Sequence, residues 1–225
     1  MRLICAGIIG LLALAPRAEG CELALVLAND VSRSVDAPEF DLIRHGTAQA
    51  LRAPEVAGLF ASLQGGAWIT LTQWSGAAQN RQMIPWRHIT DATSARALAD
   101  EIDFMPRHFR FGLTAPGNAL AFADDLMRQL GRDCHRTVID ISGDGIANSG
   151  AMTAEVADLL AAKGRTINGL VVRGDTPDPV NFYENDIRRG PASFLTIAKD
   201  YSDFPRAILR KLLREISPRL SMVRR

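Results

Sequence analysis

Three short segments carry oxygen donors where a fold could gather them. Asn29-Asp30-Val31-Ser32-Arg33-Ser34 follows one apolar run and Ser142-Gly143-Asp144-Gly145 follows another. Gly112-Leu113-Thr114-Ala115-Pro116 opens a helical pattern between them. The spacing Asp-x-Ser-x-Ser sets three side-chain oxygens on alternate residues of a tight turn, where they can converge on one point. Adding a threonine hydroxyl and a second carboxylate gives five hard donors: Asp30, Ser32, Ser34, Thr114 and Asp144. An all-oxygen set with few carboxylates suits Mg²⁺ or Mn²⁺, with water completing the shell. No His or Cys adjoins these segments, which argues against zinc. The alternative is a plain polar turn with capping duty, in which Thr114 caps the helix after it.

Such donors need strand ends brought side by side. Residues 23–28 (LALVLA) read as a buried strand. Asp36-Ala37-Pro38-Glu39 has an acidic cap with Glu three residues on, which opens a helix to about Arg52. Residues 67–74 are β-branched and aromatic, hence a strand; 80–88 form its hairpin partner, with Pro85 marking an edge. Helices are predicted over 93–102, 116–130 and 153–163, the last stopped by Gly164. Strands are predicted over 137–141, 166–172 and 194–198. From Phe204 onward, Ile208, Leu212 and Ile216 form one apolar helical stripe. Arg206, Arg210, Lys211 and Arg214 on that helix read as a solvated face. This alternation predicts an α/β, doubly wound sheet with helices on both faces and ligands outside the carboxyl ends of its strands.

Length and composition fit one such domain. The chain has 225 residues, 47% apolar and 23% charged, an ordinary globular mix. Its 26 basic and 25 acidic residues give no reason to expect nucleic acid as a partner. Met1-Arg2, an uncharged run from Leu3 to Ala15 and the small-x-small site Ala18-Glu19-Gly20 read as a secretory signal peptide over 1–20. An uncleaved anchor, or lipid attachment at Cys21, are the alternatives. Cleavage leaves equal numbers of acidic and basic residues, a domain over 21–217 and a short basic tail over 218–225. It predicts a secreted or periplasmic protein without membrane contact. Cys21 and Cys134 would then meet an oxidising compartment, which favours a disulfide.

The donor residues resemble the metal-ion-dependent adhesion site of von Willebrand factor type A domains. From about Glu22 to Ile216 the chain is similar to a bacterial group of that class, catalogued as domain of unknown function 1194. The matching segments are LALVLANDVSRSVD, RTVIDISGDGIANSG, TINGLVV and FPRAILRKLLREI. The resemblance implies that Ser32, Ser34 and Thr114 touch the metal directly. It implies that Asp30 and Asp144 act through water, and that a partner protein's acidic side chain fills the open position. Arg33 stands where many such domains have Gly, Leu113 where Gly often precedes the Thr, and Gly143 where a Thr often precedes the Asp. The resemblance also implies six strands in the order 3-2-1-4-5-6, with strand 3 an antiparallel edge. The first strand then lies beside the 137–141 strand, and their metal-side ends are level. Their far ends should be level too, which predicts a Cys21–Cys134 disulfide.

Two further readings concern partners and chemistry. The segment 174–191 follows a strand's carboxyl end and should border the metal. Tyr183, Glu184, Asn185 and Asp186 within it, with Arg33, are candidates for partner contact; the plain alternative is a surface insert with a short helix. The segment 142–148 also resembles the magnesium loop of haloacid dehalogenase-type phosphatases. Those enzymes need a nucleophilic Asp with an acid Asp two residues on, where this chain has Ser32. The expectation is an exported, non-enzymatic protein that binds a protein partner through Mg²⁺ or Mn²⁺. A scaffold without metal, or a metal-dependent hydrolase, stands as the alternative.

Overall fold

The computed structural model describes residues 20–217. The expected leader, apart from Gly20, and the expected basic tail lie outside the described residues. Six strands form one sheet: β1 (Cys21–Asp30), β2 (Ala67–Trp74), β3 (Asn80–Ile89), β4 (Cys134–Gly143), β5 (Thr166–Val172) and β6 (Leu195–Ala198). Their order is β3-β2-β1-β4-β5-β6, and every pairing is parallel except β2 with β3. The helices are α1 (Ala37–Arg52), α2 (Pro54–Ser62), α3 (Ala92–Asp103), α4 (Pro116–Leu130), α5 (Thr153–Ala162), α6 (Val180–Phe182) and α7 (Phe204–Ile216). The order and the antiparallel edge are those expected.

β1 is the central strand, and its side chains alternate between two cores. Leu23, Leu25 and Leu27 pack with Phe40 and Ile43 of α1, Leu98 of α3 and Leu212 of α7. Val26 and Ala28 pack with Leu120 of α4 and Leu160 of α5. This two-sided burial fixes the strand ends rigidly. The register fixes them level: Asn29 of β1 lies opposite Ser142 of β4. At the other end Cys21 lies opposite Cys134, with their Cα atoms 4.5 Å apart and a disulfide joining them.

The structure departs from expectation at particular places. α2 was not predicted; its buried anchors are only Val56 and Phe60. Thr114 does not cap α4: the cap residue is Ala115, which makes no side-chain cap bond. Lys211 is no part of a solvated face, because it is fully buried among partners on β4 and α7. Within 174–191, α6 continues directly into a wide π-helical turn over Tyr183–Ile187.

Candidate metal centre

Asp30 ends β1 and is fully buried. Its Oδ1 accepts the Ser32 backbone N–H at 2.7 Å, an Asx turn that folds the chain back over the strand end. Val31 N–H donates to the Trp74 carbonyl at 2.9 Å, and Arg33 N–H to the Gly112 carbonyl at 3.2 Å. The Arg107 guanidinium donates to the carbonyls of Val31 and Ser32 at 3.1 and 3.0 Å. Beyond the turn, Asp36 and Glu39 close a reciprocal capping box on α1. The Asp-x-Ser-x-Ser turn is thus held at both ends and from below.

The turn presents its hydroxyls to the end of β4. Ser32 Oγ and Ser34 Oγ lie 3.2 Å apart, and Ser34 Oγ donates to Asp144 Oδ1 at 2.7 Å. Those residues are 110 apart in the chain. Thr114 is tied to the same loop: its N–H donates to Asn148 Oδ1 at 2.8 Å, and its carbonyl accepts Asn148 N–H at 3.0 Å. Thr114 Oγ1 faces Gly145, 3.8 Å from where a Cβ there would stand, and Asp175 Oδ2 comes equally near. Asp30, Ser32, Thr114 and Asp144 are buried and Ser34 is exposed, so the group opens to solvent on the Ser34 side.

Gly143 answers one departure from the usual pattern. A Cβ at that position would stand 2.5 Å from the Tyr183 hydroxyl and 2.7 Å from Asp30 Oδ2. Any larger residue would collide with both. Tyr183 is therefore a core residue, fully buried, and its expected place on a partner-facing surface is corrected. The other candidates are nearer the surface: Arg33 and Asn185 are exposed, and Glu184 and Asp186 are half-buried. Glu184 is engaged in an ion pair with Arg188.

The electrostatics of the centre are uncompensated. Burial, then the charge of Asp144, pushes the Asp30 carboxyl up to about 8, and the bond from Ser32 and the charge of Arg107 only partly oppose this. Asp30 Oδ2 and the Tyr183 hydroxyl are buried without a hydrogen-bond partner. Asp144 is likewise raised, chiefly by burial, with Ser34 and Tyr201 pulling it down and Asp175 pushing it up. The Tyr201 hydroxyl lies outside hydrogen-bond geometry, so its pull on Asp144 is that of a nearby dipole. A hollow of about 280 Å³ opens beside the group, lined by Ser34, Glu39, Asp144, Arg173, Asp175 and Tyr201 among others.

This donor set fits a hard divalent cation. Two hydroxyls and a carboxylate form a chain of contacts through Ser34, and a buried carboxylate oxygen has no donor. Among the described residues no group of three or more His, Cys, Asp or Glu side chains is placed to hold a metal. A site here would therefore depend on neutral hydroxyls as much as on charge. The five candidate donors are all read from the sequence. Arg107 and Tyr201 lie near them only through the fold, whereas Asn148 stands in the 142–148 segment and Asp175 in the 174–191 segment that the sequence already singles out.

A family model described as "Protein of unknown function (DUF1194)" matches residues 20–220. The chain belongs to that family. A search among curated proteins finds no match for this DUF1194 chain. Among solved structures, proximal thread matrix protein 1 from the mussel byssus superposes with a TM-score of 0.65 at 16% identity, covering 87% of this chain and 49% of that one. Another structure of the mussel protein, described as having a zinc-occupied MIDAS motif, gives 0.63 at 14% identity, covering 88% and 46%. The von Willebrand factor type A protein from Catenulispora acidiphila gives 0.61 at 15% identity, covering 87% and 43%. The DUF1194 chain thus has the von Willebrand factor type A-like α/β fold, and it spans less than half the length of each of these structures. Among the described residues no helix is long and apolar enough to cross a membrane.

Proposed function

We propose that this protein is an exported, non-enzymatic binding module that holds a protein partner through a divalent cation, Mg²⁺ or Mn²⁺. Ser32, Ser34 and Thr114 would offer hydroxyls to the ion, and Asp30 and Asp144 would act through water. The observation that carries the reading is the contact chain Ser32 Oγ, Ser34 Oγ, Asp144 Oδ1 beside the partnerless Oδ2 of buried Asp30. A bound cation would supply positive charge and an open position for a carboxylate. Because its protein ligands are mostly neutral, that charge would be little quenched, and a partner's Asp or Glu would gain more from it than at an acidic cage.

The residues of the chain divide the work. Asp30 orders the turn through Ser32 N–H. Arg107 fixes the carbonyls behind the hydroxyls. Asn148 holds Thr114 at the loop after β4. A hydrolase reading lacks a second acid beside Asp30, since Ser32 occupies that place. The intact β1–β4 disulfide is consistent with an oxidising, extracytoplasmic setting.

Calorimetric titration of the wild type and of Asp30→Ala with Mg²⁺, Mn²⁺ and Zn²⁺ tests the proposal. Saturable 1:1 binding lost in Asp30→Ala supports it. Equal heats in both proteins contradict it. A phosphatase and esterase screen that finds metal-dependent turnover would overturn the non-enzymatic part.

A further inference from the structure

Large apolar side chains crowd the face around the centre. Phe104, Phe111, Leu113, Ile146 and Met152 are 84%, 79%, 56%, 36% and 68% exposed, and all stand on the two loops that deliver Thr114 and Asp144. Leu159 and Ile197 are the other large exposed apolar residues among those described. Single exposed apolar residues are ordinary; five gathered around one end of a sheet mark an interaction surface.

A groove gives this surface a shape. It measures about 560 Å³, runs between α1 and the loop after α3, and is walled by Phe40, Arg44, Phe104, Arg107, Arg110 and Phe111. Arg107 joins it to the centre, donating to the Ser32 carbonyl at 3.0 Å. Three guanidinium groups meet one carboxylate there, Asp41, which Arg44 already holds at 2.9 Å. Arg107 directs its donors to the carbonyls of Val31, Ser32 and Phe109. Among the described residues no carboxylate pairs with Arg110. The groove is therefore apolar and net cationic. An anionic membrane fits poorly, because the hollow on the far side of Ser34 carries Glu39, Asp144, Asp175 and Asp200.

We propose that this groove seats an extended segment of a partner protein in which large apolar side chains and further acidic residues follow the carboxylate bound at the centre. Phe104 and Phe111 would supply apolar contact, and Arg110 would meet an acidic side chain. The proposal rests on the metal reading only for the position of the first carboxylate.

The probe is a phage-displayed library of twelve-residue peptides with a fixed central Glu, selected on the wild type in Mg²⁺. The expected winners carry aromatic or aliphatic residues and a second acid on one side of the Glu. Phe111→Ser and Arg110→Glu, both exposed and compatible with folding, should each weaken a synthetic winner at least tenfold while leaving the Mg²⁺ titration unchanged. No enrichment, or winners equally tight on both variants, overturns the groove. If chelator leaves winner binding intact while Phe111→Ser abolishes it, the groove stands and the metal reading fails. Binding to phosphatidylglycerol vesicles instead of peptides, or Phe111-dependent self-association by sedimentation, would also overturn it.

Discussion

Two carboxylates lie deep in neighbouring strands, and burial pushes both up to about 8. Asp140 of β4 has company. Lys211 Nζ stands 2.5 Å from Asp140 Oδ1 and 2.6 Å from Glu215 Oε1, and Asn168 of β5 donates to Glu215 at 3.0 Å. The Lys211 ammonium approaches Asp140 without a directed bond, since both Asp140 oxygens lack hydrogen-bond geometry. Asp30 at the end of β1 has no ammonium. It has one backbone N–H, the distant charge of Arg107 and a second carboxylate, Asp144. The difference teaches where this fold balances its charge. At α7 a cationic side chain is built in; at the strand ends no ammonium or guanidinium bonds Asp30 among the described residues, and its carboxyl is held up to about 8. A buried carboxylate without a partner is costly and takes up a proton instead, and a cation bound beside it would reverse that.

The largest effect is expected at the Lys211 cluster. Lys211→Met leaves Asp140 and Glu215 buried without their cation. It should lower stability by about 3–5 kcal/mol, or prevent folding, as read by denaturant unfolding. The second effect belongs to the strand ends. Mg²⁺ at a hundredfold excess over its Kd should raise stability by about 2.7 kcal/mol. Asp30→Asn should lose that gain and, without metal, unfold at higher denaturant than the wild type.

pH sharpens the contrast. Both carboxyls keep their protons when folded and lose them near pH 4 when unfolded, so unfolding releases protons between about pH 4 and 8. Stability of the metal-free protein should therefore fall as pH rises through that window, by up to about 1.4 kcal/mol per unit for each group. For Asp30 the groups facing it are Asp144, Arg107 and Tyr183; for Asp140 they are Lys211 and Glu215. Asp30→Asn should flatten part of the slope, and saturating Mg²⁺ should flatten the same part in the wild type. The smallest effect is Asn148→Ala. It removes one side-chain bond to Thr114 and should cost about 1 kcal/mol, with a weakened Mg²⁺ titration.

Much of this was legible in the chain, and the failures have physical causes. β2 and β5 begin and end where expected because their β-branched runs are bounded by Gly. The 116–130 helix is legible from Pro116, whose fixed φ suits a first turn. β4 is longer than its apolar run because pairing with β1 extends it to Cys134 and Gly143. α2 escapes notice because its two buried anchors, one turn apart, make no stripe. Lys211 sits at a position that local patterning reads as solvated. Its burial depends on Asp140, which lies 71 residues away in the chain. The approach of Ser32, Ser34 and Asp144 is legible because oxygen-bearing residues follow two strands that pair side by side. Tyr183, packed behind Gly143, is not, because only the folded insert brings it there.

In the proposed function, the five side chains at 30, 32, 34, 114 and 144 surround a single divalent ion. Crystals grown in Mn²⁺ and measured at an energy where manganese scatters anomalously test it most directly. One peak is expected within coordination distance of Ser32 Oγ, Ser34 Oγ and Thr114 Oγ1, with Asp30 and Asp144 reached through water. Crystals without a peak there, or with Thr114 Oγ1 turned away from an ion held by the serines, would contradict it.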